Sequence, residues 1–234
     1  MPILFRSTVV AAVVLWAAAA GAQEADPRHL APGFHGRAAG STLLVVPADM
    51  ELFSISAGGV EEPRADWTEA AQRNFRAELA ARRSQLGSKV VELTEADLDR
   101  FGELHALHRA VAEAVFMHHS RSGRKLPTKN DRLDWSLGDA VRPLQAHTGA
   151  RYALFTWIRD SYASGERKAT MFALALLGAF SLGGTQTGYA SLVDLDTGRI
   201  VWFNDLDRWS GDLRERASAS ETVDALLKGF PALQ

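Results

Sequence analysis

The stretch SLVDLDTGRIVWFN, residues 191–204, decides the fold because it joins two apolar, alternating segments by a tight turn. Val193 and Leu195 share one face before the turn, and the same alternation resumes after it. Gly198 can take the positive φ that a three-residue hairpin loop with a bulge requires. The stretch therefore predicts an antiparallel hairpin.

The turn also contains Asp196-Thr197-Gly198, the tripeptide that carries the catalytic aspartate of pepsin-like and retroviral proteases. In those proteases Ser or Thr follows the glycine, whereas this chain has Arg199. Their chemistry also needs a second aspartate that shares one proton with the first, and the sequence shows no second motif of that kind. We favour the hairpin corner, assign no catalytic residue, and keep an aspartic-type hydrolase at Asp196 as the less favoured alternative.

Outside the hairpin, strand and helix patterns alternate along the chain. Apolar runs predict strands at Thr42–Pro47, Asp49–Ser56, Lys89–Leu93 and Arg151–Ala163. Apolar positions at three- and four-residue spacing predict helices over Trp67–Leu86 with Asp66 as the cap, over 95–119 with Thr94 as the cap, over Trp135–His147, and from Ser218 to before Pro231. The fold class is therefore α/β: a mixed sheet with an antiparallel C-terminal meander and helices packed on it.

The first residues have the layout of a cleavable secretory signal. One positive charge at Arg6 precedes an apolar run, and small residues precede Gln23. We place the cleavage after Ala22, so that residues 1–22 are a signal peptide. The sequence predicts a periplasmic protein, with membrane association through an uncleaved signal as the less favoured alternative.

The mature chain has two predicted parts. Residues 23–41 are rich in Pro, Gly, Ala and His without a period, which predicts a flexible arm. Residues 42–234 form a single α/β domain. Because the chain contains no cysteine, the sequence excludes disulfides, thiolate metal sites and the lipid attachment of a lipoprotein.

The charge balance excludes a bulk nucleic-acid partner. Twenty-six basic and 28 acidic residues give a formal net charge of −2, so the chain creates no strong field of one sign.

Four histidines lie on one predicted helix, namely His105, His108, His118 and His119. The first two are one turn apart, but the His-Glu-x-x-His pattern is absent and no carboxylate stands at ligand spacing. Leu104 and Leu107 are expected to occupy the buried face of that helix. We therefore predict solvated histidines, no metal site and no cofactor.

A basic loop, SRSGRKLPTKNDR at residues 120–132, is the first candidate binding site. Its cations are Arg121, Arg124, Lys125, Lys129 and Arg132. They fit an anionic partner such as a lipid headgroup, a glycan acid or an acidic protein patch. A solvated loop without a partner is the favoured alternative.

An apolar insertion at about residues 169–184 is the second candidate. It lies between two strands of the meander and is too short to span a bilayer. A buried crossover helix, an interfacial segment on a membrane, and a surface for self-association all fit it. The residues expected to contact a membrane or a partner are Met171, Phe172, Leu174, Leu176, Leu177 and Phe180.

Three segments of the second half together resemble a known domain. They are GARYALFTWIRDSYASG, GYASLVDLDTGRIVWFNDLD and ETVDALLKGFP, which begin at Gly149, Gly188 and Glu221. The pattern is similar to the domain shared by the curli secretion subunit CsgG, the penicillin-binding-protein activator LpoB and the amino-terminal domain of TolB. The resemblance implies a non-enzymatic envelope protein that binds an unidentified partner protein in envelope assembly, secretion or regulation, with homo-oligomerisation or membrane-surface contact as further options.

Overall fold

A computed structural model of the chain describes residues 27–120, 124–175 and 184–234. In these ranges the strands are β1 Leu43–Val45, β2 Asp49–Ile55, β3 Glu61–Pro63, β4 Val90–Glu92, β5 Tyr152–Ala163, β6 Gly184–Asp194 and β7 Ile200–Arg208. The helices are α1 Ala65–Ala81, α2 Arg83–Leu86, α3 Glu95–Arg100, α4 Gly102–Val115, α5 Arg142–Thr148, α6 Gly165–Ala175 and α7 Arg216–Leu226. The predicted signal peptide lies outside the described residues.

The long strand β5 is the centre of one mixed sheet. Its first residues pair in parallel with β1, and its second half pairs in parallel with β2. Strand β6 runs antiparallel along the opposite edge of β5, and β7 follows antiparallel to β6. Strand β4 extends the sheet beyond β1, and β3 extends it beyond β2. The predicted mixed sheet with an antiparallel C-terminal meander is confirmed.

The sheet buries both faces because successive strand residues point to opposite sides. Trp202 of β7 is fully buried on the face covered by α1 and α7. Phe203, its neighbour, is buried on the face covered by α4 and α5. Two apolar cores therefore sandwich one sheet, as the continuous apolar character of these strands requires.

The predicted hairpin is confirmed as the connection between β6 and β7. Gly198 has φ +70, and its N–H donates to the carbonyl of Asp194 at 2.8 Å. A register shift follows Leu192, as in a bulged hairpin. The carboxylate of Asp196 is half-exposed, pairs with Arg151 at 3.3 Å and accepts a hydrogen bond from Gln145.

Several helix boundaries differ from the expectation. Asp66 is not a cap, because α1 begins at Ala65 and the Asp66 carboxylate accepts hydrogen bonds from Arg64. The predicted helix from residue 135 is replaced by a 3-10 turn at Gly138–Val141, which begins at a glycine with φ +59 and leads into α5 at Arg142. Helix α7 starts at Arg216, two residues before the predicted capping box. Thr94, by contrast, does cap a helix by accepting the N–H of Asp97. The single helix expected over 95–119 is wrong, because Phe101 separates α3 from α4 and α4 ends at Val115.

The described part of the expected flexible arm packs against the fold. Ala31 donates its N–H to Val201 of β7 at 3.0 Å. Arg37 is 1% exposed. Its guanidinium donates to the carbonyls of Gln85, Leu86 and Pro231. Burial lowers the pKa of Arg37 to about 10. This segment is therefore held by specific contacts with the end of α2 and with the C-terminus, which the composition of the segment did not indicate.

Candidate functional site

Two buried titratable groups, Asp160 and His108, have strongly shifted pKa values, a property that is common at functional sites. Asp160 on β5 is 1% exposed. It accepts hydrogen bonds from the Tyr162 hydroxyl and, at 2.6 Å, from Gln186. The Tyr162 oxygen in turn accepts the N–H of Leu213 at 2.8 Å. Burial raises the pKa of Asp160 to about 6. The carboxylate thus belongs to a hydrogen-bonded network that ties β5 and β6 to the chain before α7.

His108 on α4 is the second perturbed group. It is 4% exposed, its Nε2 lies 2.7 Å from the Ser191 hydroxyl, and its ring stacks on Phe155 at 3.9 Å. Burial, helped by the nearby His105, lowers the pKa of His108 to about 3. The expectation of a solvated histidine is wrong here.

His108 is buried because it lies on the face of α4 that is turned toward the sheet. Its buried positions are Leu104, His108, Ala112 and Val115. These positions recur at three- and four-residue intervals, so they form one stripe toward the sheet. Leu107, which was expected on that stripe, is 38% exposed.

The two groups give opposite pH dependences of stability. Folding raises the pKa of Asp160 from 3.8 to about 6, so the free energy of unfolding falls as pH rises across that window. Folding lowers the pKa of His108 from 6.5 to about 3, so the free energy of unfolding falls as pH drops below 6.5. Other carboxylates with lowered pKa values also contribute to the slope, so the two groups are tested by the change from the wild type. We expect Asp160→Asn to make stability rise more steeply from pH 4 to pH 6 than in the wild type, and His108→Gln to shift this slope in the opposite direction.

Urea unfolding of each variant at several pH values measures these slopes. The slope is independent of any constant packing loss that the substitution causes. Equal slopes in both variants and the wild type would contradict the assignment of these two groups.

The basic loop is only partly available to a partner. Lys125 pairs with Asp131, and Lys129 donates to the carbonyl of Asp134 and lies over the Trp135 ring at 4.7 Å. Arg124 and Arg132 are exposed, and Arg121 lies outside the described residues. Anion binding at this loop stays a prediction.

His118 and His119 form hydrogen bonds with main-chain carbonyls. His118 bonds the carbonyl of Arg124, and His119 bonds that of Arg28, each at 2.7 Å. Within the described ranges, no three His, Asp or Glu side chains are grouped closely enough to hold a metal ion.

One end of the sheet exposes bulky apolar side chains, and we call Val60, Phe172 and Trp209 the apolar end. Strand register places the β2–β3 turn, the start of α6 and the end of β7 at that end. Ile55, at the end of β2, pairs with Ala163, at the end of β5, so the β2–β3 turn with Val60 lies beside the start of α6.

The last pair of β6 and β7 brings Trp209 to the same end, because Trp209 directly follows Arg208, the partner of Gln186. The Arg167 guanidinium of α6 donates to the carbonyl of Ser56 at 3.3 Å, which fixes α6 next to the β2–β3 turn. The β2–β3 turn, the start of α6 and the end of β7 therefore lie at the same end of the sheet, with β5 and β6 between β2 and β7.

The exposures at the apolar end are large: 61% for Val60, 69% for Phe172 and 65% for Trp209. Phe172 does not lie in a core, so the buried interpretation of the insertion does not hold for this side chain. Met171 is half-buried, Leu174 lies within α6, and Leu176, Leu177 and Phe180 lie outside the described residues. Sequence analysis missed Val60 and Trp209, because single exposed apolar residues carry no local signal.

A groove of about 930 Å³ lies beside β4, and we call it the β4 groove. Its floor is apolar, with Phe75 and Leu79 of α1 and Val90 of β4. Its walls carry the charged residues Arg76, Arg83, Glu92, Glu95 and Asp99. Arg76 and Glu95 are 3.8 Å apart and largely exposed, so this pair contributes little stability.

Strand β4 itself is a free edge, because among the described strands it pairs with β1 alone. The carbonyl of Lys89 and the N–H of Leu93 bond to β1. Since inward and outward peptide groups alternate, Val90 and Glu92 direct their N–H and C=O away from the sheet. A short row of unpaired main-chain groups therefore faces outward.

Solved structures resemble this fold at low sequence identity. The PelC dodecamer from Paraburkholderia phytofirmans is 15% identical, with a TM-score of 0.40 over 86% of this chain and 96% of that one. Lipoprotein GNA1162 from Neisseria meningitidis is 15% identical, with a TM-score of 0.30 over 73% and 81%. The C-terminal domain of LpoB from Escherichia coli is 16% identical, with a TM-score of 0.31 over 76% and 87%. No known protein family and no characterised protein matches the sequence.

None of the helices in the described ranges has the length and apolar character needed to cross a membrane.

Proposed function

We propose that this chain is an exported, non-catalytic protein of the cell envelope that acts by binding a partner protein, with the apolar end as the contact surface. The carrying observation is that Val60, Phe172 and Trp209 are each more than 60% exposed at one end of the sheet. Grouped apolar side chains of this size on a soluble domain mark contact surfaces. The secretory layout of residues 1–22 supports the envelope location.

The physical reason for partner binding is the aromatic content of this end. Aromatic residues dominate the binding energy of protein interfaces, since each buries a large apolar area. Trp209 directly follows β7, whose position the sheet fixes, and Phe172 lies on α6, whose Arg167 donates to the carbonyl of Ser56. A contact surface held on such elements needs little ordering before it binds.

Crosslinking in cells tests this proposal. A photo-crosslinking amino acid at position 60 is expected to capture one envelope protein. The double substitution F172S/W209S is expected to reduce that product about tenfold or more, because each buried aromatic side chain contributes roughly 1.5–3 kcal/mol. Both side chains are mostly exposed in this chain, so its fold is expected to survive the change.

The matched control is Leu107→Ser, which changes an exposed apolar residue on α4, outside the apolar end. It is expected to leave the product at position 60 unchanged. A product that is insensitive to F172S/W209S, or no product from position 60, would overturn the proposal.

A lipid surface is the second candidate occupant, because tryptophan favours the boundary between lipid and water. Trp209 and Phe172 together form the kind of apolar contact that peripheral proteins insert. Under this candidate, the mature protein floats with anionic phospholipid vesicles, F172S/W209S does not, and L107S does. If the protein floats with vesicles and position 60 gives no protein crosslink, the occupant of the apolar end is the membrane and not a partner protein.

A further inference from the structure

The free edge of β4 has a charge pattern that complements itself. Its N-terminal end carries Arg83 and Lys89, and its C-terminal end carries Glu92, Glu95 and Asp99. Arg83 lies at the first end because α2 leads directly into β4, and the contact of Arg76 with Glu95 places that part of α1 at the second end. One end of the edge is therefore basic and the other is mainly acidic.

Three charged side chains that line the β4 groove lack an ion-pair partner among the described residues. Arg83, Glu92 and Asp99 are exposed, and none of them forms an ion pair with any of the described residues. A strand laid antiparallel along β4 from a second copy brings the acidic end of one chain to the basic end of the other. Such complementarity favours one register and one orientation.

We propose that two copies of this chain pair through β4, antiparallel, across a two-fold axis at Val91. In this register Val90 of each copy faces Glu92 of the other. Both residues direct their N–H and C=O outward, so each facing pair exchanges two hydrogen bonds, which gives about four across the axis. The pairing joins two sheets into one and removes the free edge of both.

The apolar side chain at the centre fits this register. Val91 is 42% exposed, whereas the matching residue on β1, Leu44, is fully buried. On the two-fold axis Val91 meets its own copy as the non-hydrogen-bonded pair, in which side chains approach most closely. Three strand residues bury too little area for a stable dimer, so the groove walls from α1 and α3 must contribute the remainder.

Proline substitution separates main-chain pairing from charge. Glu92→Pro removes an N–H that points away from β1, so the β1–β4 ladder and the fold are retained. Glu92→Gln keeps that N–H and removes only the charge. We expect the wild-type mature protein to sediment as a dimer, E92P to weaken the dimer by tenfold or more, and E92Q to weaken it by only about threefold.

Charge reversal gives the second measurement. E92K/D99K leaves Glu95 in place but makes the edge mainly basic, and R83E/K89E makes it acidic. Each variant alone is expected to sediment as a monomer, and an equal mixture is expected to restore the dimer, because each edge then meets its opposite. A thermal unfolding curve like that of the wild type shows that each variant remains folded.

Several results would overturn the proposal. These are a wild-type protein that stays monomeric at about 100 μM, an E92P protein that dimerises like the wild type, and reversed variants that do not rescue each other. Assemblies larger than a dimer would also overturn it, since a two-fold contact closes after two copies. The crosslink from position 60 does not depend on β4, so the two proposals fail separately.

Discussion

Arg37→Met is expected to lower the free energy of unfolding by about 3–5 kcal/mol. The guanidinium donates to three main-chain carbonyls, those of Gln85, Leu86 and Pro231, and lies over the Phe230 ring at 4.7 Å. Hydrogen bonds from a charged donor contribute about 1.5–3 kcal/mol each. Methionine fills the space but leaves the carbonyls without a donor, and two of them belong to buried residues.

The burial cost of the cation does not reverse this expectation. Burial lowers the pKa of Arg37 from 12.5 to about 10, which corresponds to roughly 3 kcal/mol. Three charged hydrogen bonds exceed that cost. Arg37→Lys keeps the charge but offers one donor group to carbonyls on two segments, so we expect it to recover only part of the loss.

Chemical denaturation measures the loss, and Arg73→Met is the matched control. The Arg73 side chain is 71% exposed and 4.0 Å from Glu69, so its removal is expected to cost under about 0.5 kcal/mol. An R37M protein as stable as R73M would show that Arg37 does not anchor the N-terminal segment to α2 and the C-terminus.

Gly198→Ala is expected to lower the free energy of unfolding by roughly 2–4 kcal/mol. Two effects add. The φ of +70 disfavours any side chain, and a Cβ at this position would lie 2.2 Å from the carbonyl oxygen of Gly138. Because the atom in the way belongs to the main chain of Gly138, no side-chain rotation relieves the clash. Either the hairpin or the turn before α5 has to move.

Gly149→Ala separates the two effects. Gly149 has a similar φ of +65, but a Cβ there meets no atom within 4 Å. Its substitution is expected to cost about 1 kcal/mol, the price of the backbone conformation alone. Thermal or urea unfolding of both variants gives the comparison, and equal losses would show that the contact with Gly138 is unimportant.

Local patterns predicted much of the fold. Alternation over residues 191–204 predicted the hairpin, and the apolar runs predicted β1, β2, β4 and β5 within two residues of their bounds. These elements depend on side-chain periodicity, which neighbouring residues specify. Helix starts failed at Asp66 and Ser218, because suitable cap residues occurred where the chain had already entered the helix.

The candidate site was only partly predictable. Phe172 was expected as a contact residue and is exposed, but Val60 and Trp209 join it only through strand register. His108 and Arg37 carry polar side chains that a sequence pattern assigns to solvent. Each is buried because a distant segment supplies a hydrogen-bond partner: Ser191 for His108 and Pro231 for Arg37.

The sequence by itself determined the fold class, the direction of the final hairpin and the absence of cysteine chemistry, because each follows from residue types and their local spacing. Only the tertiary structure decided which strand of the sheet remains a free edge, which apolar residues meet at one end, and which polar residues are enclosed. Those properties depend on contacts between residues far apart in the chain, and no local pattern encodes such contacts.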